Sequence, residues 1–135
     1  MPPDGRSRPP VIRTGIGFDS HRLVEGRPLV LGGQRIPHEK GLAGHSDADA
    51  VAHALTDAIL GAAAAGDIGK LFPDTDPQWK GADSLALLRQ ACELVRYRGF
   101  SPRQADITVI VERPKLGGYF PAMAEALSHA SGIPV

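Results

Sequence analysis

The chain has 135 residues, enough for one compact domain with a sizeable core but not for two. Its 15 Lys and Arg balance 15 Asp and Glu, so the formal net charge is zero, which argues against the basic face of a nucleic-acid binder. The longest apolar stretch, residues 58–65, is mostly alanine and too short to cross a bilayer, and the one cysteine, Cys92, permits neither an internal disulfide nor a Cys-based zinc cage.

Residues 1–10 are rich in Pro, Gly and Arg and lack the apolar core of a secretory signal. They are expected to be a disordered leader ahead of a single cytoplasmic domain over 11–135. Residues 11–18 have the pattern of a strand, and residues 28–36 read as a short hairpin turning on Gly32 and Gly33. Ser46 and Asp49 form S-x-x-D, a capping-box-like start for an alanine-rich helix that Gly66 stops. After a loop dense in Gly, Pro and Asp over 67–81 comes a helix from Asp83 or Ser84 to Arg98, with Leu85, Leu88, Cys92 and Val95 on one face. Residues 105–111 alternate as a strand with Ile107, Val109 and Val111 on one face, and Pro121 opens a last helix that runs to about Ala130 and stops at Gly132. This order implies an α/β (α+β) sandwich, a mixed β-sheet with helices packed on one face.

Asp19 and His21, two apart at the end of the first strand, project to the same side. His53 lies one turn beyond Asp49 on the first helix. If that face meets the strand end, Asp19, His21 and His53 form a two-His, one-carboxylate set, the donors of a catalytic zinc site or a non-haem iron site. Otherwise they are a His–Asp hydrogen bond and an unrelated helix histidine. His45 and Ser46 stand where helix N–H groups, an imidazole and a hydroxyl would cradle a phosphate, or where a cap and a solvent-facing histidine would do. The acidic loop pieces 67–70 and 72–76 suit a polyol or a divalent ion, or simply connect two helices. Arg113, Pro114 and Lys115 would meet phosphate or solvent. Gly15-Ile16-Gly17 lacks the third glycine of a dinucleotide fingerprint, and Gly69-Lys70 lacks the upstream glycine of a P-loop. Cys92 reads as a core residue, His38 and His129 as surface ones.

Together these segments resemble the 2-C-methyl-D-erythritol 2,4-cyclodiphosphate synthase family of the non-mevalonate isoprenoid pathway. The resemblance is carried by GIGFDSH at 15–21, the long run from LGGQRIPHEKGLAGHSDADAVAHALTD to GDIGKLFPDTDP, then KGADS and ERPK. It implies a homotrimer with active sites between subunits and zinc on Asp19, His21 and His53, completed by substrate phosphate. It makes His45 catalytic, with Ser46 beside it on the reacting phosphate. Asp67, Ile68, Gly69, Phe72, Pro73, Asp74, Thr75 and Asp76 would line a methylerythritol pocket. Val111, Glu112, Arg113, Pro114, Lys115, Leu116 and Gly117 match the segment that recognises the cytidine diphosphate end from a neighbouring subunit. The implied reaction is an intramolecular cyclisation that releases CMP, assisted by Mg2+ or Mn2+. The family continues into a further strand with a Thr-Thr-x-Glu motif and then a helix, so the domain is expected to be carboxy-terminally truncated relative to it. The alternative is a non-catalytic trimeric remnant that keeps zinc and ligand.

Overall fold

The structure is a computed structural model that describes Gly5 and residues 9–135, so most of the expected leader over 1–10 lies outside the described residues. Two short antiparallel ladders are nested in the amino-terminal half. In the inner one, β2 (Leu29–Leu31) pairs with β3 (Gln34–Ile36), Leu31 opposite Gln34. Gly32 and Gly33 join them at φ 56° and 75°, the left-handed backbone that a two-residue hairpin turn demands. The outer ladder pairs β1 (Leu23–Glu25), earlier in the chain, with β4 (Lys40–Leu42). It was not expected, because strands of three residues are too short to show a period.

The first helix, α1 (Ala50–Ala62), begins later than expected. Asp49, not Ser46, is its N-cap, accepting the Ala52 N–H, while Ala48 just before it turns at φ 58°. The helix also stops short of Gly66, with Ala64 at φ 52°. Part of the expected 67–81 loop is helical. Asp67 caps the single turn α2 (Ile68–Leu71), and Asp76 caps a 3-10 turn over Pro77–Trp79. The next helix, α3 (Ser84–Tyr97), starts from an Asp83 cap where it was expected. After a 3-10 turn over Gly117–Tyr119, α4 (Phe120–Ser131) ends at Gly132 in the left-handed region.

α3 packs against both α1 and α4. Leu60 from α1 and Leu88, Cys92 and Val95 from α3 are shut off from solvent, and Leu29, Leu31 and Ile36 join the hairpin to the same core. Burial pushes the Cys92 thiol up, as suits a small core side chain rather than a nucleophile.

The single mixed β-sheet is not found among the described residues; two separate two-stranded sheets stand in its place. Residues 11–18 and 105–111 join neither ladder. The alternation read in the second segment is nevertheless real, since Ile107, Val109 and Val111 lean on the core. Ile12, Ile16, Phe18 and Ile110 face outward. A slot of about 760 Å3 separates the two segments, floored by Ala54, Ala58 and Ala62 of α1. The first segment lies hard against α1. A Cβ on Gly15 would fall 2.0 Å from the Ala58 carbonyl oxygen, and one on Gly17 would fall 1.8 Å from that of Ala54.

Candidate metal centre

Two elements, the segment before β1 and the helix α1, bring Asp19, His21 and His53 together. Gly15 and Gly17 let the chain lie on α1, so that Asp19 and His21 emerge beside the helix turn that carries His53. His21 Nε2 is 2.7 Å from Asp19 Oδ2, and His53 Nδ1 is 3.3 Å from the same oxygen. The two imidazoles meet edge to face with their centroids 5.5 Å apart. One donor atom from each of the three residues lies within 4.8 Å of the others, and all three are half-buried. The sequence-level choice between a shared centre and unrelated side chains is thus settled in favour of one cluster.

The donor atoms fit a cation. His21 Nδ1 sits 2.8 Å from the Ala43 carbonyl oxygen, which can only accept, so Nδ1 carries the hydrogen. In the neutral ring Nε2 then turns a lone pair toward a carboxylate oxygen. Two electron-rich atoms at 2.7 Å need a positive charge between or beside them, either a proton or a metal ion. With a proton in that place, Asp19 holds His21 above its ordinary pKa, first through their hydrogen bond, against burial. Burial by itself pushes the Asp19 carboxyl up, but hydrogen bonds and charge from His21 and His53 outweigh it and bring it down to about 2. Two imidazole nitrogens and one carboxylate oxygen are a donor set that suits zinc, which in catalytic sites takes a fourth, non-protein ligand.

His45 and Ser46 adjoin this cluster. Ser46 Oγ lies 3.2 Å from His53 Nε2 and accepts the Ala48 N–H at 3.2 Å. His45 Nε2–H donates to the Asp76 carbonyl at 2.9 Å. That bond ties the turn before α1 to Asp76, the last residue of the stretch Phe72, Pro73, Asp74, Thr75 and Asp76. Asp67, Ile68 and Gly69 lie at the start of α2, where the Asp57 carboxylate also accepts the Ile68 N–H at 2.8 Å. Phe72 is buried, edge-on to Trp79 with 5.0 Å between the ring centroids. The 111–117 segment behaves differently. Leu116 is buried and Val111 packs on the core, but Glu112, Arg113, Lys115 and Gly117 are exposed. Neither ion pair of the cluster reaches this segment among the described residues.

Several supporting residues escaped sequence reasoning. Arg27 donates to the carbonyls of Leu42 at 2.9 Å and Ser46 at 3.1 Å, pinning the turn that carries His45. Asp49, fully buried, accepts N–H groups from Ala52, Gly32 and Gly33 and so bolts the hairpin turn to the start of α1. Burial pushes its carboxyl up against the pull of those three donors. Ala48, turned into the left-handed region between Asp47 and Asp49, lets the two carboxylates point different ways. Ser84 also reaches His53, and Asp47 is bonded to Ser84 behind it. Ser84 stands 31 residues from the histidine it touches, and no local pattern signals such a contact.

A family model described as the YgbB family matches residues 12–135. A protein of Salinibacter ruber named 2-C-methyl-D-erythritol 2,4-cyclodiphosphate synthase is 55% identical over 123 residues, which are 91% of this chain and 78% of that protein. A protein of the same name from Symbiobacterium thermophilum is 58% identical over 88% of this chain and 76% of its own length. A solved structure of such a synthase, described as a CDP-bound form, is 52% identical and superposes with a TM-score of 0.84, covering 90% of this chain and 81% of that one. A Plasmodium falciparum structure described as an IspF CDP complex is 32% identical with a TM-score of 0.74, over 90% and 74% of the two chains.

Proposed function

Because the chain belongs to the YgbB family, whose relatives bear the name 2-C-methyl-D-erythritol 2,4-cyclodiphosphate synthase, we propose that it is an isoprenoid-pathway lyase of that kind. Its substrate is 4-diphosphocytidyl-2-C-methyl-D-erythritol 2-phosphate. An oxygen of the 2-phosphate attacks the β-phosphorus, and the bond from that phosphorus to the oxygen bridging it to the α-phosphate breaks. CMP leaves with that oxygen, and the 2,4-cyclodiphosphate remains. The observation that carries this reading is the convergence of Asp19, His21 and His53 beside the His45–Ser46 turn.

Zinc held by Asp19, His21 and His53, with Mg2+ or Mn2+ on the diphosphate, supplies positive charge that offsets repulsion between the reacting phosphates. The chain's own residues do the rest. His45, fixed by its bond to the Asp76 carbonyl, and Ser46 hold and orient the attacking phosphate. Asp67, Ile68 and Gly69, with residues 72–76, take the methylerythritol hydroxyls, for which carboxylates and backbone carbonyls are natural acceptors. No protein nucleophile is required, since folding the substrate brings its two ends together.

Residues 111–117 serve the cytidine end of a neighbouring subunit's site, Lys115 as the cation, which agrees with the exposure of Glu112, Arg113, Lys115 and Gly117. The protein is a homotrimer, and outward-facing Ile12, Ile16, Phe18 and Ile110 are apolar surface that such an assembly would cover. It works in the cytoplasm, without nucleic-acid or membrane partners; no helix among the described residues is long and apolar enough to cross a membrane. The matched residues span 78% of the length of the Salinibacter ruber relative.

A second reading is a zinc- and ligand-binding trimeric remnant without turnover. CMP release by the purified 135-residue chain with zinc and magnesium separates the two. Stoichiometric conversion to cyclic diphosphate supports the synthase; zinc-loaded, folded protein that releases no CMP supports the remnant. Protein that binds neither zinc nor substrate defeats both.

A further inference from the structure

His53 touches the centre through Nδ1, and its other nitrogen is held from behind. Nε2 lies 2.7 Å from the Ser84 hydroxyl oxygen, at the first turn of α3. The Ser84 hydroxyl donates in turn to Asp47 Oδ1. The same carboxylate accepts the Ser84 backbone N–H at 3.0 Å and the Asp49 N–H at 3.1 Å. Ser84 is fully buried, so no water competes for these bonds.

The direction of this chain of bonds decides the tautomer of His53. A serine hydroxyl has one hydrogen, and an ionised carboxylate can only accept. With that hydrogen committed to Asp47, Ser84 Oγ meets Nε2 with a lone pair, so Nε2 must carry the ring hydrogen. A neutral imidazole carries only one. Nδ1 is therefore left with its lone pair directed at Asp19 Oδ2 and His21, where an ion would sit. The arrangement mirrors the other histidine, whose Nδ1–H is fixed by the Ala43 carbonyl.

We propose that Asp47 and Ser84 are positioning residues of the metal centre, holding His53 in its Nε2–H form and orienting Nδ1 toward the ion. The proposal rests on the reading above that Asp19, His21 and His53 bind zinc. It gives the D-x-D sequence around Ala48 two separate tasks. Asp47 reaches forward to Ser84 on α3 and acts on the histidine only through it, whereas Asp49 caps α1 and anchors the hairpin turn.

The test compares wild type, Ser84→Ala, Ser84→Thr and Asp47→Asn in three measurements: zinc affinity by chelator competition, thermal unfolding, and nitrogen-15 shifts of the His53 ring in the zinc-loaded protein. Ser84→Ala removes the nearer of the two hydroxyl oxygens that face Nε2, leaving only Ser46 Oγ at 3.2 Å. Asp47→Asn lets the amide donate to Ser84 Oγ and frees the hydroxyl hydrogen to point at Nε2. Both are expected to weaken zinc binding by about 10- to 100-fold and to move the Nε2 resonance. Ser84→Thr, which keeps the oxygen, is expected to recover most of the affinity and the wild-type Nε2 shift. Variants that lose thermal stability but keep wild-type zinc affinity and His53 shifts would show a purely structural contact and overturn the proposal. Wild-type protein that takes up no zinc overturns the metal reading itself, and this proposal with it.

Discussion

Gly17→Ala tests whether the close approach of the amino-terminal segment to α1 builds the metal centre. The added Cβ would lie 1.8 Å from the Ala54 carbonyl oxygen, whereas ordinary contact starts at 3.4 Å. The obstacle is helix backbone and cannot rotate aside, so the segment must lift by more than an ångström. Overpacking of this kind costs about 1–3 kcal/mol, which for 135 residues is about 4–10 °C in Tm. The larger effect falls on metal binding. Asp19 is two residues on, and zinc tolerates ligand distances to within about 0.2 Å, so zinc affinity should drop by about 100-fold or more. Gly61→Ala is the control: its Cβ would meet nothing within 4 Å, and alanine in a helix is favoured by about 1 kcal/mol. Differential scanning fluorimetry and zinc analysis on both variants provide the comparison. A Gly17→Ala protein with wild-type Tm and zinc affinity would refute this account of how the centre is assembled.

Removing the ring in His53→Ala is expected to abolish stoichiometric zinc; full zinc content in a folded variant would break the ligand assignment. His45→Ala should keep its zinc yet release CMP about 100-fold more slowly, and loss of zinc instead would make His45 part of the metal shell. Asp49→Ala leaves two N–H groups of the hairpin turn and one of α1 without their acceptor, at about 3 kcal/mol or more; urea unfolding checks it, and a change below about 1 kcal/mol would contradict the anchoring role. Dialysis against a strong chelator should stop CMP release, with recovery on adding zinc and magnesium; undiminished turnover by demonstrably zinc-free protein would exclude the metal from the reaction.

Local chemistry made much of this protein legible from its residues alone. The inner hairpin follows from adjacent glycines, α3 from its Asp83 cap and apolar face, and the end of α4 from Gly132. Asp19 and His21 could be paired because they stand two apart, and His53 joined them only as a conditional third member. The tertiary structure decided what depends on distant neighbours. It set Asp49 rather than Ser46 as the cap, because the hairpin turn supplies two further donors to that carboxylate. It paired β1 with β4 around the hairpin, a contact with no periodic signal. It left residues 11–18 and 105–111 outside any ladder, since a strand pattern specifies an alternation of side chains but not a partner within hydrogen-bonding reach. It also brought Ser84 behind His53 from a separate helix. Spacing along a chain fixes which side chains share a local face, and only packing decides which faces meet.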